Sequence, residues 1–107
     1  MQRGEVWWAE LPEPAGRRPV LLLSRNIAYS VRNAITVGVV TSTIRDIPVE
    51  VPLDIKDGMP RNCVVNLDDI ITIPKTRLVE RITALSSEKM TAVDGAIIFA
   101  LDLKVRR

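Results

Sequence analysis

Up to Thr83 the chain is a succession of short β-rich runs separated by turn residues, and a helical pattern begins only after them. Parallel strands need crossover connections of a dozen or more residues, usually helices, and the gaps between these runs hold none. A chain of 107 residues is long enough for one core but not for two. The pattern therefore predicts a single mainly β domain, a small and strongly curved barrel, with runs at about 5–11, 20–23, 34–40, 49–53, 63–67, 70–73 and 78–83.

The last segment changes period. Apolar residues recur there at helical spacing, and Ser86 or Ser87 can cap the helix, with Glu88 favourably placed in its first turn. The spacing predicts a helix of about sixteen residues that plugs or flanks the barrel. The positions expected to face the core are Met90, Val93, Ile97, Ala100 and Leu101.

Three of the β-rich runs carry further information. Val20 to Leu23 is continuously apolar, which is typical of a strand buried on both faces, and Pro19 can begin such a strand. The run 34–40 contains Gly38, which indicates a bulge or a close backbone approach. The alternation of apolar and polar residues in 49–53 predicts a half-exposed edge strand.

Composition excludes several function classes. The chain has no histidine, so imidazole can serve neither as an acid or base nor as a metal ligand, and we expect no metal and no cofactor. Cys63 is the only cysteine, and we interpret it as a small buried hydrophobe in a reducing compartment. No apolar run reaches the roughly 18 residues of a membrane span, and Met1 leads directly into charged residues. We therefore expect a cytoplasmic protein that does not contact a membrane.

Positive charge is concentrated in arginine, most conspicuously in GRRPVLLLSRN, residues 16–26. Here Arg17 and Arg18 stand directly before Pro19 and a buried strand, although a buried guanidinium without a partner costs several kcal/mol. A solvated loop or an ordinary ion pair would explain them. Arginine also fits phosphate groups with its planar fork, and the net charge of +2 permits a polyanionic partner.

Several segments taken together resemble the MazF/PemK family of bacterial toxin endoribonucleases. They are RGEVWWAELPEP, GRRPVLLLSRN, VVTSTI and NCVVNLDDIITIPKTRLVERITALSSE, and their order and spacing extend the resemblance over about residues 3–102. The resemblance implies an SH3-like barrel that forms a two-fold homodimer and cleaves single-stranded RNA without a metal. It also implies a cognate antitoxin, which we expect to carry an acidic and partly disordered segment.

The resemblance also assigns residues. The catalytic arginine of the family falls on Arg18 and its threonine on Thr41, while its acidic position falls on Asp68, a residue that a structural turn would equally explain. We expect Arg17, Arg25 and Ser42 to bind the RNA backbone, with surface ion pairs as the alternative for the two arginines. The loop at 12–17 is shorter than in many members of the family.

Trp7 and Trp8 must point to opposite faces of their strand. We expect one to lie in the core and the other to serve a dimer interface or, less often, base stacking. Two other functions fit the same architecture: a gyrase-poisoning toxin without enzymatic activity, and an SH3-like binding module. Against the second stands the low aromatic content of the chain, 4%.

Overall fold

A computed structural model describes residues 1–105, and its six strands form one antiparallel sheet. In space the strands are ordered β4-β5-β3-β2-β1-β6, and every neighbouring pair is antiparallel. The elements are β1 (Glu5–Glu10), β2 (Arg17–Leu22), the single helical turn α1 (Ala28–Val31), β3 (Ala34–Thr41), β4 (Glu50–Leu53), β5 (Cys63–Pro74), β6 (Leu78–Ala84) and the helix α2 (Ser87–Ala100). Short 3-10 turns at Ile55–Asp57 and Lys75–Arg77 follow β4 and β5. The predicted mainly β fold with a terminal helix is confirmed.

The sheet curls until its two outer strands approach each other. Thr83 on β6 donates a hydrogen bond of 2.9 Å from its hydroxyl to the carbonyl oxygen of Asp57, just after β4. The next residue, Gly58, has φ +92, and a Cβ atom there would lie 2.3 Å from the Thr83 hydroxyl oxygen. The contact between Thr83 and residues 57–58 therefore requires a glycine at position 58. It joins the two edges of the sheet, β4 and β6, which are not paired by backbone hydrogen bonds.

Both faces of the sheet are covered by apolar side chains. Leu21 belongs to a core cluster that includes Val65 on β5 and Val93 on α2, whereas Val20 and Leu22 belong to a second cluster on the opposite face. All three β2 residues are completely buried. The prediction that this strand is buried on both faces is confirmed.

A bulge in β5 corrects one boundary prediction. The expected runs 63–67 and 70–73 form one strand, β5, which pairs with β3 on both sides of a bulge. At the bulge Gly38 pairs with Ile70, while its neighbour Val39 pairs with Asn66. Residues 67–69 of β5 have no partner on β3 and form the bulge. A Cβ atom on Gly38 would lie 3.0 Å from a methyl group of Val65, so Gly38 marks both a bulge and a close approach.

Helix α2 covers the first core cluster. Ser86 caps it by accepting a hydrogen bond of 3.1 Å from the backbone N–H of Lys89. The helix has 14 residues, fewer than expected, and Leu101 is 55% exposed rather than facing the core. The reason is a left-handed turn at Asp102 (φ 52), where the N–H groups of Asp102 and Leu103 bond back to Phe99 and Ile98 and end the helix. Neither helix within residues 1–105 has the length and apolar character needed to cross a membrane.

Candidate active site

The start of β2 and the end of β3 lie side by side, and their register brings Arg18 and Thr41 together. Val20 pairs with Val39 in an antiparallel ladder. Continuing that register by two positions sets Arg18 opposite Thr41, and residues directly opposite each other share a face of the sheet. The two residues assigned by the family resemblance are therefore neighbours in space.

Two open cavities meet at this pair, since Arg18 and Thr41 line both. The first, the Trp8 cavity, has a volume of about 460 Å³. The second, the Asn66 cavity, has a volume of about 510 Å³. Besides the shared pair, the Trp8 cavity is lined by Trp8, Arg17, Ser42, Pro60, Arg61 and Cys63 among others, and the Asn66 cavity by Pro14, Arg45, Asn66, Asp69 and Ile71 among others.

The Arg18 side chain is half-buried and held at one end. Its Nε donates a hydrogen bond of 3.1 Å to the carbonyl oxygen of Ala15, in the loop before β2. No carboxylate within residues 1–105 lies within 4.0 Å of its guanidinium. A positioned guanidinium without an anionic partner can bind an anion such as phosphate, and neither an ordinary ion pair nor a fully solvated loop describes Arg18.

Thr41 and Ser42 bring hydroxyl groups to the same place. The Thr41 hydroxyl oxygen accepts a hydrogen bond of 3.2 Å from the backbone N–H of Thr43. Because the oxygen is the acceptor there, its own proton remains available for donation. Ser42 is exposed at the rim of the Trp8 cavity.

Arg17 makes contacts of two kinds, to the ring of Trp8 and to surface carboxylates, and the second kind is the ion pair considered as the alternative to RNA binding. Its guanidinium carbon lies 5.3 Å from the centroid of the Trp8 ring, within the range of a cation–π interaction. Glu10 and Glu80 each place a carboxylate oxygen 3.9 Å from its guanidinium nitrogens, so weak surface ion pairs are also present. Trp7 points away and packs partly against the second core cluster, with its indole N–H bonded to Glu5 at 3.0 Å.

Two predicted site residues do not line either cavity. Arg25 follows the opposite end of β2 from Arg18, and it is exposed. Asp68 lies in the β5 bulge, also exposed, with its backbone N–H bonded to the side-chain oxygen of Asn66 at 2.9 Å. The carboxylate at the cavity is that of the next residue, Asp69. This placement corrects the expectation for Asp68, because the bulge decides which of the two acids faces the site.

Sequence reasoning missed Arg45, Arg61, Asn66 and Asp69, which line the cavities from other parts of the chain. Arg45 belongs to the loop 42–49, which a buried glutamate holds in place. Oε1 of Glu50 accepts hydrogen bonds from the backbone N–H groups of Arg45 (2.9 Å) and Asp46 (3.0 Å). Glu50 is 8% exposed, and its second carboxylate oxygen, Oε2, has no hydrogen-bond partner in the described part of the chain.

Cys63 lines the Trp8 cavity but is 5% exposed. Burial raises the pKa of its thiol above the usual value, with the nearby Asp57 carboxylate acting in the same direction. A raised pKa disfavours the nucleophilic thiolate, so the environment agrees with its interpretation as a buried hydrophobe. Across residues 1–105 we find no cluster of three or more cysteine, aspartate or glutamate residues that could hold a metal ion.

Comparisons with known proteins show which family the chain is similar to. Residues 2–101 match the family model described as PemK-like, MazF-like toxin of type II toxin-antitoxin system. A probable endoribonuclease MazF5 of Mycobacterium tuberculosis is 41% identical over 101 residues, covering 94% of this chain and 92% of the relative.

Solved structures show the same fold. The toxin MazF-mt6 of Mycobacterium tuberculosis superposes with a TM-score of 0.87 at 33% identity, covering 94% of this chain and 99% of that one. A mycobacterial endoribonuclease in complex with its cognate antitoxin gives a TM-score of 0.87 at 26% identity, covering 99% of both chains. The family match over residues 2–101 and the 41% identity to a relative show that the chain belongs to the PemK-like, MazF-like toxin family of type II toxin-antitoxin systems.

Proposed function

We propose that this protein is a toxin endoribonuclease that cleaves single-stranded RNA without a metal ion and so inhibits translation and growth. The observation that carries the proposal is the position of Arg18 opposite Thr41, at the junction of two open cavities. A phosphodiester bound between them would have one neighbouring nucleotide directed toward each cavity. The relative of Mycobacterium tuberculosis named as a probable endoribonuclease supports the reaction class.

RNA supplies its own nucleophile, the 2′-hydroxyl. Its attack on the adjacent phosphorus forms a bond to the 2′-oxygen and breaks the bond to the 5′-oxygen, giving a 2′,3′-cyclic phosphate and a 5′-hydroxyl. The unpaired end of Arg18 would stabilise the negative charge that develops on the phosphoryl oxygens. The free proton of the Thr41 hydroxyl would be donated to one of these oxygens. Ser42 and Arg17 would contact the adjoining RNA backbone.

The proton of the 2′-hydroxyl needs an acceptor. A guanidinium stays protonated in proteins and is a poor base near neutral pH, so Arg18 acts through its charge. Asp69 is the carboxylate that lines the Asn66 cavity beside Arg18 and Thr41. We assign it the role first expected of Asp68, with a water molecule as the alternative acceptor. The departing 5′-oxygen takes up a proton from water at the open site, which completes the 5′-hydroxyl product.

Incubation of the purified protein with single-stranded RNA in excess EDTA tests the proposal. We expect cleavage, with 5′-hydroxyl ends identified by their ready labelling with polynucleotide kinase and no prior phosphatase treatment. Arg18→Ala is the control against a contaminating nuclease. Intact RNA would overturn the nuclease assignment, and inhibition of gyrase by the same preparation would then support the non-enzymatic toxin.

We further propose that the protein acts in the cytoplasm, as a homodimer, and that a cognate antitoxin inhibits it. Apolar side chains stand exposed at the end of α2, which supports contact with a second copy; they are Ile98, Phe99, Leu101 and Leu103. Sedimentation at micromolar concentration tests the dimer, and a monomer would contradict it.

The arginines around the two cavities would attract an acidic antitoxin segment, which would compete with RNA for the same surface. RNA binding by the Arg18→Ala protein, measured with and without the antitoxin, tests this exclusion. Simultaneous binding of both at full affinity would locate inhibition elsewhere.

A further inference from the structure

We propose that the Trp8 ring and the Arg17 guanidinium together form a stacking platform for the nucleobase next to the scissile phosphate. This inference rests on the proposed nuclease function and adds a substrate-positioning site to it. Trp8 lines the Trp8 cavity together with Pro60 and Arg61. A large aromatic surface in an open, cation-lined cavity is the combination by which proteins bind unpaired bases.

The fold itself makes little use of Trp8. Of the two tryptophans, Trp7 packs against the second core cluster, whereas Trp8 belongs to neither cluster of the described chain. Trp8 is only half-buried, with no indole hydrogen bond within residues 1–105, while the Trp7 indole is bonded to Glu5. The large apolar ring of Trp8 is therefore not used in the core and lies beside an open cavity.

Arg17 is positioned over the ring by more than one contact. Its guanidinium carbon is 5.3 Å from the ring centroid, and Glu10 and Glu80 approach its nitrogens from two strands at 3.9 Å. These carboxylates compensate part of its charge and hold the guanidinium beside the ring. A guanidinium plane held in this way stacks on bases much as an aromatic ring does.

The platform lies one strand position from the reacting centre. Trp8 pairs with Pro19, so its side chain starts on the other face of the sheet from that of Arg18, and the two side chains meet at the end of the strands, where both line the Trp8 cavity. A base on the platform would therefore belong to a nucleotide adjoining the phosphate at Arg18. Every base has a π face, so stacking is tolerant of sequence. The Asn66 cavity, in contrast, offers hydrogen-bonding side chains that can discriminate between bases: Arg45, Asn66 and Asp69.

The first test compares KM, kcat and the map of cut sites for Trp8→Leu and Trp8→Phe. Loss of one stacked base should raise KM for Trp8→Leu by about 5- to 150-fold on every RNA cut by the wild type, with the cut sites unchanged. Trp8→Phe should recover most of the loss, because it keeps an aromatic face. RNA that the wild type leaves intact would overturn both this proposal and the nuclease assignment. Cleavage with an unchanged KM in Trp8→Leu would overturn this proposal alone.

The second test needs no variant of Trp8 and no catalysis. The chain has two tryptophans, so Trp7→Phe leaves Trp8 as the only one. Adding a random-sequence 2′-O-methyl RNA pool, which lacks the nucleophile, should quench Trp8 emission in that protein but not Trp7 emission in the matched Trp8→Phe control. Bound RNA without quenching would overturn the platform. Trp8 emission that changes with protein concentration alone would overturn it as well, by assigning the ring to a contact between copies.

Discussion

Thr41 and Thr43 are joined by a hydrogen bond from the backbone N–H of Thr43 to the hydroxyl oxygen of Thr41, 3.2 Å long. The bond fixes the hydroxyl oxygen in space and uses one of its lone pairs. It leaves the proton free, at a point where the side chain lines two cavities with Arg18. A donor held in place before the reaction requires little reorganisation when charge develops on a phosphoryl oxygen.

Replacement of Thr41 by valine should therefore remove catalysis while leaving the shape of the site unchanged. Loss of one such donor typically lowers kcat by about 10²- to 10³-fold, and we expect an effect of that size on RNA cleavage. Thr41→Ser, which keeps the hydroxyl, is the matched control and should retain most of the activity. Equal rates for Thr41→Val and the wild type in single-turnover cleavage would contradict the donor role.

Substitution of Arg18 should have a larger effect on the rate than on stability. An arginine directed at developing phosphoryl charge can raise the rate about 10³- to 10⁵-fold in other phosphoryl-transfer enzymes. We expect Arg18→Ala to cleave RNA at least about 10³-fold more slowly than the wild type. Its fold should lose only about 1 kcal/mol, the net worth of the bond to Ala15. Cleavage assays and urea unfolding measure the two effects separately.

Arg18→Lys distinguishes charge from geometry. Lysine keeps the positive charge but cannot hold Ala15 with one nitrogen and present a planar fork with the others. We expect it to resemble Arg18→Ala rather than the wild type. Arg32→Ala, which removes an exposed arginine that lines neither cavity, is the control for general loss of positive charge. Near-normal cleavage by Arg18→Lys would show that position and planarity matter little.

The part of the site carried by regular strands could be predicted from the sequence. The apolar run after Pro19 and the β-branched run before Thr41 each indicate a strand, and an end of each strand is where the polar residues Arg18 and Thr41 stand. That the two ends meet follows from the antiparallel pairing of neighbouring strands, which short connections favour. Local pattern thus placed the two residues at strand ends, whereas their assignment to the site came from the resemblance to the family.

The acidic residue could not be placed in the same way. Asp68 and Asp69 are adjacent, and in a regular strand their side chains would face opposite sides of the sheet. The register shift opposite Gly38 disrupts the alternation at this point, so the sequence pattern no longer tells which acid faces Arg18. A bulge depends on how two strands align, which neither run encodes by itself.

The residues contributed by loops were beyond prediction for a different reason. Arg45 and Arg61 stand in segments without hydrophobic period, and each reaches a cavity only because β4 and β5 pair and the sheet curls. Arg25 stands in a motif with Arg17 and Arg18, yet β2 carries it to the opposite end of the strand. Proximity in sequence was a misleading guide there.

Gly95 gives a prediction about stability that is independent of the site. Apart from its chain neighbours and the backbone of the helix, no atom of the described residues lies within 4 Å of the position that a Cβ would occupy, and Gly95 is exposed inside α2. Gly95→Ala should therefore raise the free energy of unfolding by about 1 kcal/mol, because alanine favours the helix. Gly58→Ala, which would force a Cβ against Thr83 at a positive φ, should lower it instead. Chemical denaturation of the two variants checks the opposite signs.

Cys63 should react slowly in the folded protein even though it lines the Trp8 cavity. Its thiol is nearly inaccessible, and burial raises its pKa, so the thiolate fraction at neutral pH is smaller than in an unfolded chain. Alkylation by iodoacetamide at neutral pH should be much slower in buffer than in urea. Cys63→Ala should retain cleavage activity, and its loss in a folded protein would assign the thiol a chemical role.

The final prediction concerns Glu50, which links the interior to the loop 42–49. Its Oε1 is the shared acceptor for the backbone N–H groups of Arg45 and Asp46, and the side chain is almost completely buried. Removing the acceptor deprives both donors of their protein partner, a loss of about 1 kcal/mol for each hydrogen bond. Glu50→Ala should therefore destabilise the protein and loosen the loop that carries Ser42 and Arg45 to the two cavities.

Hydrogen exchange at single residues separates these effects. In Glu50→Ala the amides of Arg45 and Asp46 should exchange faster than in the wild type by more than the loss of global stability explains, because their bonds open locally. Glu50→Gln keeps a carbonyl oxygen as acceptor and should protect the two amides better than Glu50→Ala does, although a neutral acceptor is weaker than a carboxylate. If both amides kept their wild-type protection in Glu50→Ala, the loop would be held by contacts other than this carboxylate.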